Sequence, residues 1–225
     1  MSSNAPAFEK VGADAFAARV AAGASSATFK EQYARYRPRS YDGRFGPDFR
    51  VHHGDIAIGG NWRVPGFQTL IAGNLAVDGL VDLANPYDEG FDEGGQFIVL
   101  GNVRCRAFIN EYGKVSMVDG ALEASDVVVN DFEDSALVVI GDLRTRFFQG
   151  LDLWAEVGGS AFMEYGDGYC LPIGYSDATA QAMLPRHGEV ESRKQLNPKI
   201  DPVSYKASRD MCAMLRAGKD IFRQA

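Results

Sequence analysis

Carboxylates are the side chains in this sequence with the clearest capacity for chemistry, and they are densest in the stretch ANPYDEGFDEGG. Four of them lie close together there: Asp88, Glu89, Asp92 and Glu93. Such a group can bind Ca²⁺ or a cationic protein surface, although acidic residues also collect in ordinary solvated turns. The stretch is too short and irregular for a calcium-binding loop, so no metal ion or other cofactor is assigned. The four residues are candidates for contact with a cationic partner protein.

A second group combines arginines with aromatic residues in the segment IGDLRTRFF. Arg144 and Arg146 are followed directly by Phe147 and Phe148. Arginine and exposed aromatic side chains are typical of the residues that dominate protein interfaces. A helix near the C-terminus could instead cover the rings. We therefore predict that these four residues bind another protein if the rings are exposed.

No segment carries a catalytic motif. The sequence lacks GxSxG, Walker, HExxH and EF-hand patterns, and its cysteines show no metal-ligand or disulfide spacing. His52 and His53 are adjacent, and adjacent side chains of a strand point to opposite sides, so the pair alone cannot form a two-ligand site. No catalytic, cofactor-binding or metal-binding residue is predicted.

The elements that position these groups are indicated by a repeated phrase in residues 51–175. The phrase joins a glycine to an aliphatic residue two positions later, and its glycines are Gly54, Gly73, Gly101, Gly120, Gly141 and Gly159. Units of roughly 20 residues, each with two short alternating runs, are what the coils of a parallel β-solenoid require. A β-sandwich is the competing interpretation, but sandwich strands need no common phrase. We predict a mainly β fold: a single-stranded parallel β-solenoid of about six irregular turns with α-helical N- and C-terminal caps.

The alternation within the repeat predicts which side chains face inward. The inward residues follow each glycine at the second and fourth positions: Ile56, Ile58, Leu75, Val77, Val103, Cys105, Leu122, Ala124, Leu143 and Thr145. The residue three positions after each glycine points outward, in the column Ala57, Ala76, Arg104, Glu123, Arg144 and Phe162. Because adjacent coils lie about 4.8 Å apart, Arg104, Glu123 and Arg144 are expected to form a ladder of alternating charge.

The chain divides into three zones of one globular unit. Residues 1–50 are an N-terminal helical cap and lead-in loop, with helices over roughly 8–22 and 26–36. Residues 51–175 are the solenoid. Residues 176–225 hold a C-terminal amphipathic helix that starts at Asp201 and Pro202, which suit the N-cap and the first helical position.

The phrases IVLGNVRCRAFIN, VVIGDLRTRFFQG and IAGNLAVDGLVDL resemble the repeats of bacterial β-helical proteins, loosely akin to the polymer-forming bactofilins. The resemblance implies a small, enzymatically silent cytoplasmic protein, although the helical ends would obstruct end-to-end growth. Similar repeat proteins occur beside bacterial toxin systems. We therefore expect a non-enzymatic protein-binding module of bacterial origin, either an immunity or inhibitor protein or a scaffold. The alternative is a hexapeptide-type left-handed β-helix enzyme, acyltransferase-like, or a small-molecule binder at a subunit interface.

Charge limits the expected partners. The net charge of -7 opposes non-specific binding to nucleic acid and to anionic membranes, because the long-range field has the wrong sign. No stretch reads as a signal peptide or a membrane span, so a cytoplasmic location is expected. The expected partner is another protein, cationic in character, and a homo-oligomer stays open as an alternative.

Overall fold

The computed structural model describes residues 6–36, 48–83, 95–111, 113–131, 135–151, 153–168, 171–174, 181–201 and 206–224. The acidic candidates Asp88, Glu89, Asp92 and Glu93 lie outside the described residues. So does Pro202, and with it most of the predicted start of the C-terminal helix.

The described chain contains short strands between two helical ends. In chain order the elements are β1 Glu9–Val11, α1 Ala13–Gly23, α2 Ala27–Tyr36, β2 Phe49–His53, β3 Ile56–Ile58, β4 Trp62–Arg63, β5 Gln68–Ala72, β6 Leu75–Val77, β7 Leu80–Asp82, β8 Gln96–Val99, β9 Val103–Glu111, β10 Val115–Val118, β11 Leu122–Asp131, β12 Ser135–Val139, β13 Leu143–Gln149, β14 Leu153–Val157, β15 Ala161–Asp167, β16 Ile173–Gly174, β17 Gln181–Ala182, α3 Glu189–Lys194 and α4 Lys206–Arg216.

The strands form the predicted parallel β-solenoid of about six turns. The first sheet has the order β1-β2-β5-β8-β10-β12-β14-β16-β17, and the second has the order β15-β13-β11-β9-β6-β3 with β4 and β7 beside it. Successive coils pair in parallel, for example β9 with β11 and β11 with β13. A β-sandwich would require antiparallel neighbours, so that alternative is excluded.

In the second sheet, the alternation of side chains changes phase once per coil. Val103 and Cys105 face the interior and Phe108 does too, whereas Ala107 and Ile109 face outward into a separate core. A register shift between Ala124 and Val127 marks the same point one coil later. We call the part of each coil before this change the entry half, as in residues 103–106. The part after it is the exit half, as in residues 107–111.

The repeated glycines are needed because successive coils touch there. A Cβ atom built on Gly73 would stand 2.4 Å from the carbonyl carbon and oxygen of Gly54. The same construction on Gly101 gives 2.7 Å to the carbonyl oxygen of Gly73, and on Gly120 it gives 2.7 Å to that of Gly101. No real side chain tolerates such distances, so the stack of coils fixes this position as glycine.

At four of the six glycines, the Asp or Asn residue that follows links the coils through its side chain. Asp55 Oδ1 accepts the backbone N–H of Asn74 at 2.7 Å, and Asn74 Oδ1 accepts that of Asn102 at 2.9 Å. Asn102 Oδ1 in turn accepts the N–H of Ala121 at 2.9 Å, and Asp142 Oδ1 accepts that of Ser160 at 3.0 Å. The Asp and Asn side chains of the recurrent Gly-Asp and Gly-Asn pairs therefore form a ladder of hydrogen bonds to the backbone of the next coil.

The predicted inward register is confirmed. Nine of the ten inward residues are buried, and Ile58 is partly buried against the same interior core. A hexapeptide helix would place every sixth residue in the interior. The apolar residues at positions 97, 103, 109 and 115 have this spacing, but they do not share one core. Phe97 belongs to the interior core, whereas Ile109 packs in the exit-half core and Val115 packs beneath the N-terminal helices.

The N-terminal helices lie along one side of the solenoid. Phe16 and Val20 of α1 and Phe29 of α2 share a core with outward residues of the first sheet: Val51, Leu70, Ile98, Met117 and Val138. Helix α1 begins at Ala13, later than predicted, because Glu9–Val11 form a strand that pairs antiparallel with β2. The turn between the helices is anchored by Asp119, which accepts hydrogen bonds from both Ser25 and Ser26.

The C-terminal segment covers the outer face of the exit half. Met211, Cys212 and Leu215 of α4 pack with Ile109 and Val129 in one core. The buried Asp82 receives a two-pronged interaction from Arg216, with Nε 3.0 Å from Oδ2 and an NH2 group 2.9 Å from Oδ1.

The edges of the solenoid are partly closed. The first sheet ends in the antiparallel strands β1 and β17. The last strand of the second sheet, β15, accepts hydrogen bonds from the backbone N–H groups of Arg186 and His187 at Met163 and Glu164. Such added segments block the addition of further strands to an edge.

Candidate protein-binding surface

Within the part of the chain that the structure describes, the helical ends leave one side of the solenoid uncovered. It is the outer face of the entry half, and we call it the open side. Its first column consists of the exposed residues Ala57, Ala76, Arg104, Glu123, Arg144 and Phe162. Its second column consists of Gly59, Asp78, Arg106, Ser125, Arg146 and Glu164, all exposed except Arg106, which is half-buried. The predicted outward direction of the first column is confirmed.

A groove of about 500 Å³ lies on the open side. Its lining comes from three consecutive coils: Ala76, Val77, Asp78, Arg104, Cys105, Arg106, Glu123 and Ser125. Acidic and basic side chains line the groove, whereas the side chain of Cys105 faces the interior core. Burial raises the pKa of the Cys105 thiol, so this sulfur stays protonated and is not a nucleophile.

The charge ladder has the predicted register but not the predicted ion pairs. Glu123 lies opposite Arg104 on one side and Arg144 on the other. The guanidinium of Arg144 instead donates to Asp142 at 2.9 Å and lies 3.9 Å from the ring centre of Phe162. Among the described residues, neither Arg104 nor Glu123 has an ion pair within 4.0 Å. Both charges are therefore free to meet groups on a ligand.

The other two arginines of the open side, Arg106 and Arg146, also have partners within the protein. Arg106 donates to Asp126 at 2.7 Å, and Arg146 lies 3.9 Å from the ring centre of Phe222. Arg146 thus stands where the open side meets the C-terminal segment. Cation–π contacts of this kind orient a guanidinium while leaving its N–H groups available.

The arginines of the open side differ in whether they have an ion pair. Its two columns carry four arginines and three carboxylates, but two of the arginines, Arg106 and Arg144, are paired with Asp126 and Asp142 beside the columns. Arg104 and Arg146 have no ion pair among the described residues, and their guanidinium groups are the ones best able to meet an acidic ligand.

The candidate aromatic residues do not lie on this surface, which corrects the sequence-based hypothesis. Phe148 is fully buried in the interior core. Phe147 faces outward but is fully buried under the C-terminal segment, with its ring centre 6.4 Å from that of Phe222. The phase change after Arg146 points Phe147 outward, where the C-terminal segment covers it, and points Phe148 into the interior core. The exposed aromatic residue beside the arginines is Phe162, 47% exposed.

Two of the three histidines, His52 and His187, pack beside aromatic rings. His52 Nδ1 lies 2.8 Å from the carbonyl oxygen of Ala7, and its ring is 5.6 Å from Phe8. His187 stacks on Tyr165 at 4.9 Å where the C-terminal segment meets the last coil. The described residues contain no group of three or more His, Cys, Asp or Glu side chains arranged to hold a metal ion. None of the described helices combines the length and apolar character that crossing a bilayer requires.

Comparison with known proteins found no matching family model, no matching curated protein and no matching solved structure.

Proposed function

We propose that this protein is a non-enzymatic binding module that engages another protein through the open side. The proposal rests on one observation: of the three outer faces of the solenoid, two are covered by helices and one is exposed. The first sheet is covered by α1 and α2, and the exit half is covered by α4 and its neighbours. The entry half stays exposed over six coils and carries charged groups with unused hydrogen-bonding capacity.

The partner surface that fits the open side is an acidic, extended segment. Arg104 and Arg144 offer guanidinium groups two coils apart, and Glu123 between them can accept from a backbone N–H or a lysine. Phe162 adds an exposed apolar ring next to Arg144. Arginine and aromatic side chains on a rigid framework are the usual residues of strong protein contacts.

The strands that close the ends of the first sheet limit how such a module could assemble with copies of itself. The antiparallel strands β1 and β17 oppose end-to-end growth through the first sheet, so a discrete scaffold or inhibitor is favoured over a bactofilin-like polymer. Kinship with bactofilins remains a hypothesis, as do the immunity role and the cytoplasmic location. A cationic partner for the acidic stretch around residues 88–93 is a separate hypothesis, since that stretch lies outside the described residues.

Charge reversal on the open side tests the proposal. The probe is a fluorescein-labelled peptide of alternating Glu and Ser, compared with the same peptide carrying Gln in place of Glu. We expect Arg104→Glu combined with Arg144→Glu to weaken binding of the Glu peptide by about tenfold or more, and added salt to weaken binding to the native protein. The matched control reverses Lys30 and Arg209, which are exposed on α2 and α4.

Equal affinity for the Glu and Gln peptides would overturn the proposal. An equal loss in the control variant would do the same, since it would indicate a general effect of net charge. Circular dichroism of each variant establishes that the solenoid is retained.

A further inference from the structure

A buried carboxylate interrupts an otherwise apolar column on the first sheet. Leu70, Ile98, Met117 and Val138 follow one another across the coils beneath the N-terminal helices, and the next residue in register is Glu156. The side chain of Glu156 is only 2% exposed. Burying a carboxylate at an apolar position is costly, so its partners need an explanation.

Three donors converge on one oxygen of this carboxylate. Glu156 Oε1 accepts hydrogen bonds from Arg35 at 3.0 Å, from the Tyr36 hydroxyl at 3.0 Å and from the Trp154 indole N–H at 2.5 Å. Glu156 Oε2 is buried and has no hydrogen-bond partner among the described residues. A carboxylate can accept about four hydrogen bonds through two oxygens, and here all three bonds fall on Oε1.

Two other buried carboxylates of the described chain, Asp82 and Asp167, are satisfied differently. Asp82 receives the two-pronged fork of Arg216, and Asp167 receives that of Arg193, with Nε at 2.7 Å and an NH2 group at 3.2 Å. In both cases each carboxylate oxygen has a donor. Glu156 receives a single N–H from Arg35, whose side chain is 57% exposed.

Two of the three donors to the carboxylate belong to aromatic side chains, Trp154 and Tyr36. Trp154 is 52% exposed although its N–H is bound to the carboxylate. The guanidinium of Arg35 lies 5.3 Å from the centre of the Tyr36 ring. Burial and the neighbouring Glu156 raise the pKa of Tyr36, so its hydroxyl remains a donor. A carboxylate flanked by tryptophan and tyrosine is the composition of a site for an organic cation.

We propose that Glu156, Trp154 and Tyr36 form a second recognition site, which takes the guanidinium group of an arginine on a partner protein. Arg35 is the resident occupant in the free protein. When its weakly held side chain swings away, the incoming guanidinium forms the two-pronged contact with both oxygens of Glu156 and lies against the two rings. This site is separate from the open side and does not rest on its proposed function.

The fluorescence of Trp154 tests this assignment directly. The chain has two tryptophans, so Trp62→Phe leaves Trp154 as the sole emitter. In that background the probe is the blocked tripeptide Gly-Arg-Gly, and the control probe carries citrulline, the neutral isostere of arginine. We expect Arg35→Ala to bind the arginine peptide with a saturable change in emission, about tenfold or more tighter than the chain that retains Arg35.

Adding Glu156→Gln to Arg35→Ala should abolish the response. The proposal is overturned by an equal response to the citrulline peptide, by no saturable response in Arg35→Ala, or by an unchanged response after Glu156→Gln. Methylguanidinium binding as tightly as the peptide would overturn the assignment to a protein side chain. If Glu156→Gln fails to fold, Trp154→Ala replaces it because that ring is half exposed, and calorimetry should then show the affinity of the arginine peptide reduced severalfold.

Charge reversal of Arg104 and Arg144 should leave this binding unchanged. The same variant weakens the acidic peptide on the open side. Failure of one site is therefore distinguishable from failure of the other.

Discussion

Gly73 lies directly against Gly54 of the preceding coil, and a Cβ atom on Gly73 would stand 2.4 Å from the Gly54 carbonyl oxygen. The obstacle is backbone, which cannot rotate away as a flexible side chain would. We expect Gly73→Ala to lower the free energy of unfolding by about 1–3 kcal/mol through overpacking between coils. Chemical denaturation followed by circular dichroism measures this loss. Gly188→Ala is the control, because a Cβ there meets nothing within 4 Å; equal stabilities of the two variants would contradict the coil contact.

The hydrogen-bond ladder formed by the Asp and Asn residues after four of the glycines gives a second prediction. Asn102 accepts the N–H of Ala121 and donates through Nδ2 to Asn74 Oδ1 at 3.3 Å. Asn102→Ala should cost about 1–2 kcal/mol of unfolding free energy, because the Ala121 N–H loses its acceptor. Asn102→Asp should recover part of the loss, since Asp142 accepts in the same way elsewhere in the ladder. Equal losses in both variants would show that the acceptor is not what matters.

The sequence was sufficient to predict the coils and their interior. The period-2 alternation after each glycine marks Leu75, Leu122 and Leu143 as inward, and all three are buried. Local spacing carries this information because neighbouring coils repeat the same environment. The glycine-anchored phrase was recognised as a repeat, whereas the backbone contact and the ladder that require it are visible only in three dimensions.

The candidate site was predicted only in part. Arg104 and Arg144 were correctly expected to point outward, but the columns that remain exposed depend on where distant helices pack. The change of phase after Arg146 was not predictable, because an apolar residue such as Phe147 satisfies either side of a strand when another segment covers it. Glu156 gave no local signal, since its donors Arg35 and Tyr36 come from a helix 120 residues earlier in the chain.

Acid should weaken the link between the last two coils at Asp142. The Ser160 N–H, together with Arg144, holds the pKa of the Asp142 carboxyl below its ordinary range. Because the pKa is lower in the folded state, the ionised carboxyl stabilises the fold above the ordinary pKa of about 3.9, and this contribution is lost as the pH falls through the lowered value. We expect the melting temperature of the native protein to exceed that of Asp142→Asn at pH 6, with the difference shrinking in acid. A difference that is constant with pH would contradict this assignment.

Substitutions of two phenylalanines in adjacent coils should distinguish an effect on the stability of the solenoid from an effect on binding at its open side. Phe147 is fully buried under the C-terminal segment, whereas Phe162 is 47% exposed beside Arg144. Phe147→Ala should cost about 3–5 kcal/mol of unfolding free energy, because it leaves a cavity beneath Phe222. Phe162→Ala should cost less than about 1 kcal/mol, since it removes one exposed ring and its contact with a guanidinium.

When peptide binding is measured on folded protein, Phe162→Ala should have the larger effect, although it has the smaller effect on stability. At a temperature where both remain folded, Phe147→Ala should bind the Glu–Ser peptide as the native protein does, because its ring does not reach the surface. Phe162→Ala should bind more weakly, since Arg144 loses the ring that orients its guanidinium over the open side. If Phe162→Ala left binding unchanged while Phe147→Ala reduced it, the recognition surface would have to include the C-terminal segment that covers Phe147.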